Sequence, residues 1–205
     1  MSVSHTPAPA RSDVATATSA TGATRPFLVH GRVLTAGALA WTVSILAVGQ
    51  DPHSPLGLAV FGIGSGLFQV GVMFLLRVLW RTNAIGSGRV ARTVLRVEAG
   101  VLSLAMLSTF VDAIGLSNLE QTGWLVLDLC WPLSMLGMFL IGVRIAIAGR
   151  WHGLSRFWPM VAESWAVVTV PAMGIFGATV GQYVGALHLV VGYAVLGVLV
   201  SRKQG

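Results

Sequence analysis

Residues 157–200 read FWPMVAESWAVVTVPAMGIFGATVGQYVGALHLVVGYAVLGVLV, and Glu163 is the one formally charged residue among them. As a single straight helix this stretch would extend about 66 Å, roughly twice the thickness of a hydrocarbon core. It must therefore turn, and the glycine-rich residues 174–181 are the natural place. Pro171 lies shortly before that turn and predicts a kink in the preceding helix.

The composition of the whole chain points the same way. Of its 205 residues, 55% are hydrophobic and only 10% are charged, and the mean hydropathy is +0.79. A soluble domain carries roughly a quarter charged residues, because it needs a wettable exterior. We therefore predict an all-α fold, a polytopic transmembrane helical bundle in the cell membrane.

The apolar runs define six predicted spans. A helix needs about 20 residues to cross the bilayer, and each run comes close to that length. Residues 27–205 form the predicted transmembrane domain, whereas residues 1–26 are rich in Ala, Ser, Thr and Pro and predict a disordered cytoplasmic tail. The predicted spans are 33–49, 56–80, 96–116, 124–148, 157–176 and 179–200.

The distribution of basic residues predicts the orientation. Under the six-span prediction all 13 Lys and Arg residues belong to the tail, the second and fourth loops or their helix ends, and the C-terminus. The loops around 51–55, 117–121 and 177–179 contain none. This segregation follows the positive-inside rule and places both chain ends in the cytoplasm. It also explains the net charge of +6 without nucleic acid as a partner.

Ionisable residues inside a span are costly and are candidates for function. Asp112 and Asp128 lie about one turn from the ends of spans three and four, so a short loop brings them to similar depth. One interpretation is an acidic vestibule for a cation, or a carboxylate pair that shares a proton. The other is two hydrated acids at headgroup level.

Further charged residues lie near the basic ends of the spans. Glu163 and Arg144 lie at similar depth on spans joined by a short linker, so an ion pair is geometrically reasonable, either to fix helix register or as a proton site. Glu98 could pair in the same way with Arg77, nearer the membrane surface.

Two spans have a face of small and polar residues that should point into the bundle, because lipid offers no hydrogen bonds. In span three, Glu98, Ala105 and Asp112 recur at intervals of seven. In span six, small residues at such spacing allow close helix contact, and the histidine among them is either a packing residue or a proton carrier. That face consists of Gly181, Gly185, His188 and Gly192.

Several chemistries can be set aside. Cys130 is the only cysteine, so no intrachain disulfide can form. The five histidines lack ligand spacing, and we expect neither a metal nor another cofactor. Lys203 is the only lysine, which excludes an intramembrane retinal Schiff base. Neither a phosphate-binding Gly-rich loop motif nor a His-Glu-x-x-His motif is present.

Three functions from different classes remain. The first is a permease-like carrier of a cation or small molecule that uses intramembrane carboxylates. The second is a membrane-embedded enzyme that acts on a lipid or isoprenoid by acid–base catalysis, although no catalytic residue can be assigned. The third is a non-catalytic subunit of a larger membrane complex. The partners are then the lipid bilayer, a small-molecule or lipid ligand, and either a second copy or another membrane protein.

Overall fold

The structure, a computed structural model, describes residues 25–116 and 121–203, and every regular element within those ranges is helical. The predicted tail falls almost entirely on residues outside these ranges. The elements are α1 (Leu28–Val48), α2 (Pro55–Arg81), α3 (Arg89–Ala113), α4 (Thr122–Asp128), α5 (Cys130–Ala148), α6 (Leu154–Glu163), α7 (Trp165–Phe176), α8 (Ala178–His188), a π-helical segment (Leu189–Ala194) and α9 (Val195–Ser201).

Five helical segments in the described part of the chain are long and apolar enough to cross a membrane. These are α1, α2, α3, the α4–α5 pair and the run from α8 through the π segment to α9. The α6–α7 pair passes the same test together but is bent by 40°. The chain is thus an integral membrane protein of apolar helices. Each of these segments overlaps a predicted span, but α1 begins at Leu28 rather than near residue 33, and α3 begins at Arg89 rather than at residue 96.

Helix ends follow from local sequence. Ser54 caps α2, because its hydroxyl accepts a hydrogen bond from the Gly57 amide at 3.0 Å, and Pro55 occupies the first helical position, where its missing N–H costs nothing. Gly177 ends α7 with a φ of +88°, which side-chain-bearing residues rarely adopt. The turn within residues 174–181 is therefore confirmed and lies at Gly177.

The fifth segment has a break at Ser164, between α6 and α7, which the sequence analysis did not predict. Pro171, the predicted site of a kink, lies inside α7. The carbonyl of Val161 accepts hydrogen bonds from Ser164 Oγ at 2.8 Å and from His188 Nε2 at 3.0 Å. Side chains that donate to a helical carbonyl in this way compete with backbone N–H groups for the same acceptor. They therefore stabilise a break in the helix.

The segments close into a ring. α1 packs against α2, α2 against α3, α3 against α5, and α5 against α6. α6 packs against the π segment and α9, α7 packs against α8, and the last segment returns to α1. Gln50 Nε2 donates to the Gly181 carbonyl at 3.1 Å, and Gln182 Nε2 donates to the Ile45 carbonyl at 2.7 Å. These bonds tie the start of α8 to the end of α1, so the two run antiparallel.

Glycines allow the close approach of neighbouring segments around this ring. At these positions a Cβ atom would overlap the facing helix, so no larger residue fits without a shift. The glycine-rich face predicted for the last segment is confirmed, since Gly181, Gly185 and Gly192 are buried. The contact glycines include Gly71 towards α1, Gly62 towards α3, Gly142 towards α6, Gly181 towards α7 and Gly197 towards α1.

The two ends of the bundle differ in charge. One end contains the start of α1, the α2–α3 and α5–α6 connections and the end of α9. We call it the arginine-rich end. Trp151 Nε1 donates to Thr82 Oγ1 at 3.1 Å and joins the two connections at this end. The opposite end contains the remaining connections, whose residues include no Lys or Arg.

We expect Gly197→Ala to lower the stability of the folded protein in detergent. A Cβ at this position would lie 2.6 Å from the Gly31 carbonyl oxygen, which belongs to the backbone and cannot move aside. Overpacking of this kind costs about 1–3 kcal/mol. The thermal unfolding midpoint measures the effect. Gly66→Ala is the matched control, because no neighbouring helix lies within 4 Å of it. Equal midpoints for the two variants would contradict the close contact of α1 and α9.

Candidate functional site

Polar side chains from different segments meet in the middle of the bundle. The members of this central cluster are each at most 5% exposed. Glu98 and Glu163 each lie about 14 Å along the helix axis from the first residue of α3 and of α6. The central cluster comprises Gln69 of α2, Glu98 of α3, Ser134 of α5, Glu163 of α6 and Tyr193 of the π segment.

A small cavity lies within the central cluster. Its volume is about 20 Å³, and its wall includes Gln69, Ser134, Glu163 and Tyr193 beside apolar residues such as Phe68. A site of this volume holds one water molecule or one ion of similar size. We call it the central cavity.

Each buried carboxylate of the cluster accepts a hydrogen bond from another helix. Tyr193 Oη donates to Glu163 Oε2 at 2.5 Å, and Ser134 Oγ donates to Glu98 Oε1 at 2.6 Å. These bonds fix the two acids and leave the second oxygen of each available. Each bond joins two segments, so the two bonds also hold α3 to α5 and α6 to the π segment.

Two residues that line the central cavity each have a buried oxygen without a hydrogen-bond partner in the described part of the chain. Glu163 Oε1 and Gln69 Oε1 have no hydrogen-bond partner among the described residues. Gln69 Nε2 donates to Thr109 Oγ1 at 2.9 Å, and Thr109 Oγ1 donates its own proton to the Ala105 carbonyl at 3.0 Å. That chain fixes the amide orientation, so the oxygen is the free atom of Gln69. Buried polar atoms are nearly always bonded, and such exceptions indicate a missing partner.

Among the residues that the structure describes, no basic side chain neutralises the two central acids. Within 25–116 and 121–203, the one ion pair joins His53 to Asp51 in an exposed connection. The expected pairs Arg144–Glu163 and Arg77–Glu98 are therefore wrong. Both arginines are exposed, whereas the two acids point inward to hydroxyl donors on other helices.

The cluster lies where two neighbouring segments depart from α-helical geometry. Glu163 is the last residue of α6, and Tyr193 lies in the π segment. Trp158 Nε1 lies 3.1 Å from the carbonyls of Val191 and Gly192 and donates to them. His188 bonds to Val161 in return, so its Nε2 carries the proton, because a carbonyl can only accept. His188 thus lies in the contact between α6 and α8 rather than on the cavity wall. Irregularities of this kind often mark functional sites.

The other two candidate acids lie nearer the opposite end. Asp112 and Asp128 line a single cavity of about 260 Å³, as their predicted depth implied, together with Ser108 and Thr109. We call it the acidic cavity. Both carboxylates are half-buried. Thr109 also accepts a hydrogen bond from Gln69, so it links the acidic cavity to the central cluster.

An aromatic cluster separates the acidic cavity from the central cavity. Trp41 is its hub, with ring centroids 4.8 Å from Phe68, 5.3 Å from Trp131 and 5.2 Å from Trp165. Trp131 lines both cavities. Packed rings of this size exclude water, so the central cavity is closed on this side.

Towards the arginine-rich end, the cluster borders a groove between α3 and α5 of about 680 Å³. Glu98, Gly137 and Arg144 line it beside apolar side chains. A Cβ at Gly137 would overlap Glu98 Oε2, so the glycine makes room for the carboxylate. Because Ser134 lines the central cavity, the Glu98–Ser134 bond connects that cavity with the groove.

The inward face predicted for span three is confirmed. Glu98, Ala105, Ser108 and Thr109 are buried, and Asp112 is half-buried. Sequence reasoning missed the neutral members of the cluster, which come from other helices. The sequence does contain a signal for them, because a glutamine and a tyrosine within apolar runs need buried hydrogen-bond partners just as acids do. Those members are Gln69, Ser134 and Tyr193.

No protein-family model, curated protein or solved structure matches the chain. The chemistry of the central cluster and of the cavities around it is therefore the basis for a functional proposal.

Proposed function

We propose that the chain is a permease-like carrier that exchanges a proton for a small monovalent cation at the central cavity. The observation that carries this proposal is the pair of unsatisfied oxygens, Glu163 Oε1 and Gln69 Oε1, on two residues that line one small cavity. Oxygen atoms are the usual ligands of hard cations such as those of alkali and alkaline-earth metals.

The charge of Glu163 supports exchange. A buried carboxylate without a cationic neighbour is very costly in a low-dielectric interior, so it must bind a positive charge. Because Tyr193 already donates to Oε2, the proton or cation binds at Oε1. One carboxylate compensates one positive charge, so the two species exclude each other. A cation that binds at Oε1 therefore displaces one proton, and the charge of the site does not change.

The size of the central cavity favours this function over an enzyme that acts on a lipid. A volume of about 20 Å³ fits an ion or a water molecule but not an isoprenoid. An ion in this cavity would lie among residues that carry oxygen ligands. These are the Glu163 carboxylate, the Gln69 amide oxygen and the hydroxyls of Ser134 and Tyr193. The apolar remainder of the wall excludes further water.

Access from both sides is the second requirement of a carrier. The acidic cavity lies on one side of the aromatic cluster, and the groove at Glu98 lies on the other side of the central cavity. In the proposed cycle, Trp41 and Trp131 move apart to open the first route, and Glu98 and Ser134 separate to open the second. Broken helices near the middle of the membrane are typical of carriers, and Glu163 and Tyr193 both lie on irregular segments.

The carrier proposal includes six crossings of the cell membrane with both ends in the cytoplasm. The packing of the bent pair supports it. α6 packs against the π segment and α9, and α7 packs against α8, so the pair follows the last segment along its whole length. A re-entrant pair would return to the side from which it entered. Six crossings also place all arginines on the cytoplasmic side.

We expect purified protein in liposomes to release internal protons when NaCl, LiCl or KCl is added outside, with at least one salt active. A fluorescent dye that reports internal pH measures the flux. Glu163→Gln removes the exchangeable charge and should reduce the flux at least roughly tenfold, since the site then cannot bind a proton and a cation in turn. Gln69→Leu should weaken the apparent cation affinity.

Asp51→Asn is the matched control, because this acid is exposed in a connection away from the cluster. Size-exclusion chromatography and circular dichroism establish that each variant is folded. Flux in folded Glu163→Gln equal to that of the wild type would overturn the assignment of the site. The absence of flux above empty liposomes with all three salts would overturn the carrier proposal.

Membrane topology can be tested with single cysteines in a Cys130→Ala background. We expect His53→Cys and Thr179→Cys to react with a membrane-impermeant maleimide in intact cells, whereas Ser87→Cys reacts only after lysis. His53, Thr179 and Ser87 are exposed in the folded chain. Labelling of residue 179 only after lysis, together with residue 87, would make the α6–α7 pair re-entrant and refute six crossings.

A further inference from the structure

A second groove at the arginine-rich end carries an uncompensated positive charge. It lies between α2 and α3 beside the start of α1, has a volume of about 940 Å³, and is lined by Arg77, Arg81 and Arg96. We call it the basic groove. Arg77 and Arg81 lie four residues apart on α2, so their charges repel each other along one helix face.

These arginines have no acidic partner among the described residues. None of them forms an ion pair within the described part of the chain, and Glu98 points away into the central cluster. Arg96 is instead held over the ring of Trp80, with 5.2 Å between its Cζ atom and the ring centroid. Arg92 lies over the same ring at 5.9 Å. Cation–π contacts position these side chains without neutralising them.

Besides the arginines, His30 and Trp80, the residues that line the basic groove are apolar. They are Met73, Phe74 and Leu76 of α2 and Leu95 and Ala99 of α3. The groove therefore combines three guanidinium groups at one end with a hydrocarbon-like surface continuing towards the middle of the bundle. A ligand that fits both parts has an anionic head and apolar chains.

We infer that the basic groove binds one anionic phospholipid. The guanidinium groups contact the phosphate, which they recognise in a planar, two-pronged geometry, and the acyl chains lie along the apolar wall. Basic sites between transmembrane helices are suited to acidic lipid head groups, because the bilayer supplies them at high local concentration. This inference does not depend on the proposed function, because the groove shares no residue with the central cluster.

Other possible occupants of the basic groove complement its positive charge less well. Residues 1–24 contain one basic and one acidic residue, Arg11 and Asp13, and so bring no net side-chain charge to the groove. A second copy inserted in the same direction would carry Asp112 and Asp128 at the opposite end. An anionic lipid in the adjoining leaflet is the partner that supplies negative charge at the right depth.

Native mass spectrometry of the full chain tests this inference. The detergent-solubilised protein is incubated with phosphatidylglycerol or phosphatidylcholine of identical chains, and the population with one bound lipid is measured. We expect the wild type to retain phosphatidylglycerol roughly tenfold more than phosphatidylcholine, from the attraction of three arginines. The Arg77→Gln/Arg81→Gln/Arg96→Gln variant should lose this preference. The single variant Arg96→Gln should weaken the preference for phosphatidylglycerol. It replaces the triple variant in the test if the triple variant does not fold.

The matched control is Arg32→Gln/Arg150→Gln/Arg202→Gln, which removes the same charge from exposed positions outside the groove. We expect it to retain the preference of the wild type. Equal loss in both triple variants would show a general surface attraction and overturn the inference. Displacement of bound phosphatidylglycerol by millimolar inorganic phosphate would also overturn it, because the apolar wall would then contribute nothing.

Discussion

A carboxylate buried without a counter-charge is the constraint on which the rest of this structure depends. Glu163 is 3% exposed, its one hydrogen bond is to Tyr193, and no arginine reaches it in the described part of the chain. In water such a group would be stabilised by solvent, and in most protein interiors by a basic partner. Here the interior supplies only hydroxyl and amide groups. The site therefore needs a positive charge from outside the chain.

The packing of the helices makes this arrangement possible. Glycines at the helix contacts bring the backbones close, so that short side chains such as Ser134 can reach an acid on the next helix. Gly137 leaves room for the Glu98 carboxylate in the same way. The break after Glu163 and the π segment at Tyr193 free backbone carbonyls, which Trp158 and His188 then bond across the contact. A regular pair of helices would not need these cross-contacts.

The fold could largely be predicted from the sequence, because lipid imposes simple rules on helix length and charge. Residues 157–200 were too long and too apolar for one span, and their turn lies at Gly177 as glycine content indicated. Asp112 and Asp128 line one cavity, which agrees with the prediction that they lie close together at the ends of neighbouring spans. The break at Ser164 was not predictable from Pro171, since it depends on His188 from another segment.

The partners of the acids could be predicted much less well. Arg144 and Glu163 were matched by depth along their helices, but depth says nothing about rotation about the helix axis. The rotation is set by the whole ring, which turns Glu163 towards Tyr193 and leaves Arg144 exposed. Gln69 and Ser134 were not predicted as members of the site because they are neutral. In the low dielectric of the interior, however, neutral polar groups depend on hydrogen-bond partners as much as acids do.

The central claim is that Glu163 binds a proton and a cation in turn, and infrared difference spectroscopy of the protein in lipid tests it most directly. At constant pH, addition of the transported cation should abolish a C=O stretching band of a protonated carboxyl group, as the proton leaves Oε1. The band should be absent from Glu163→Gln and present in Asp51→Asn. A carboxyl band that persists on salt addition, or that changes equally in Glu163→Gln, would contradict the claim.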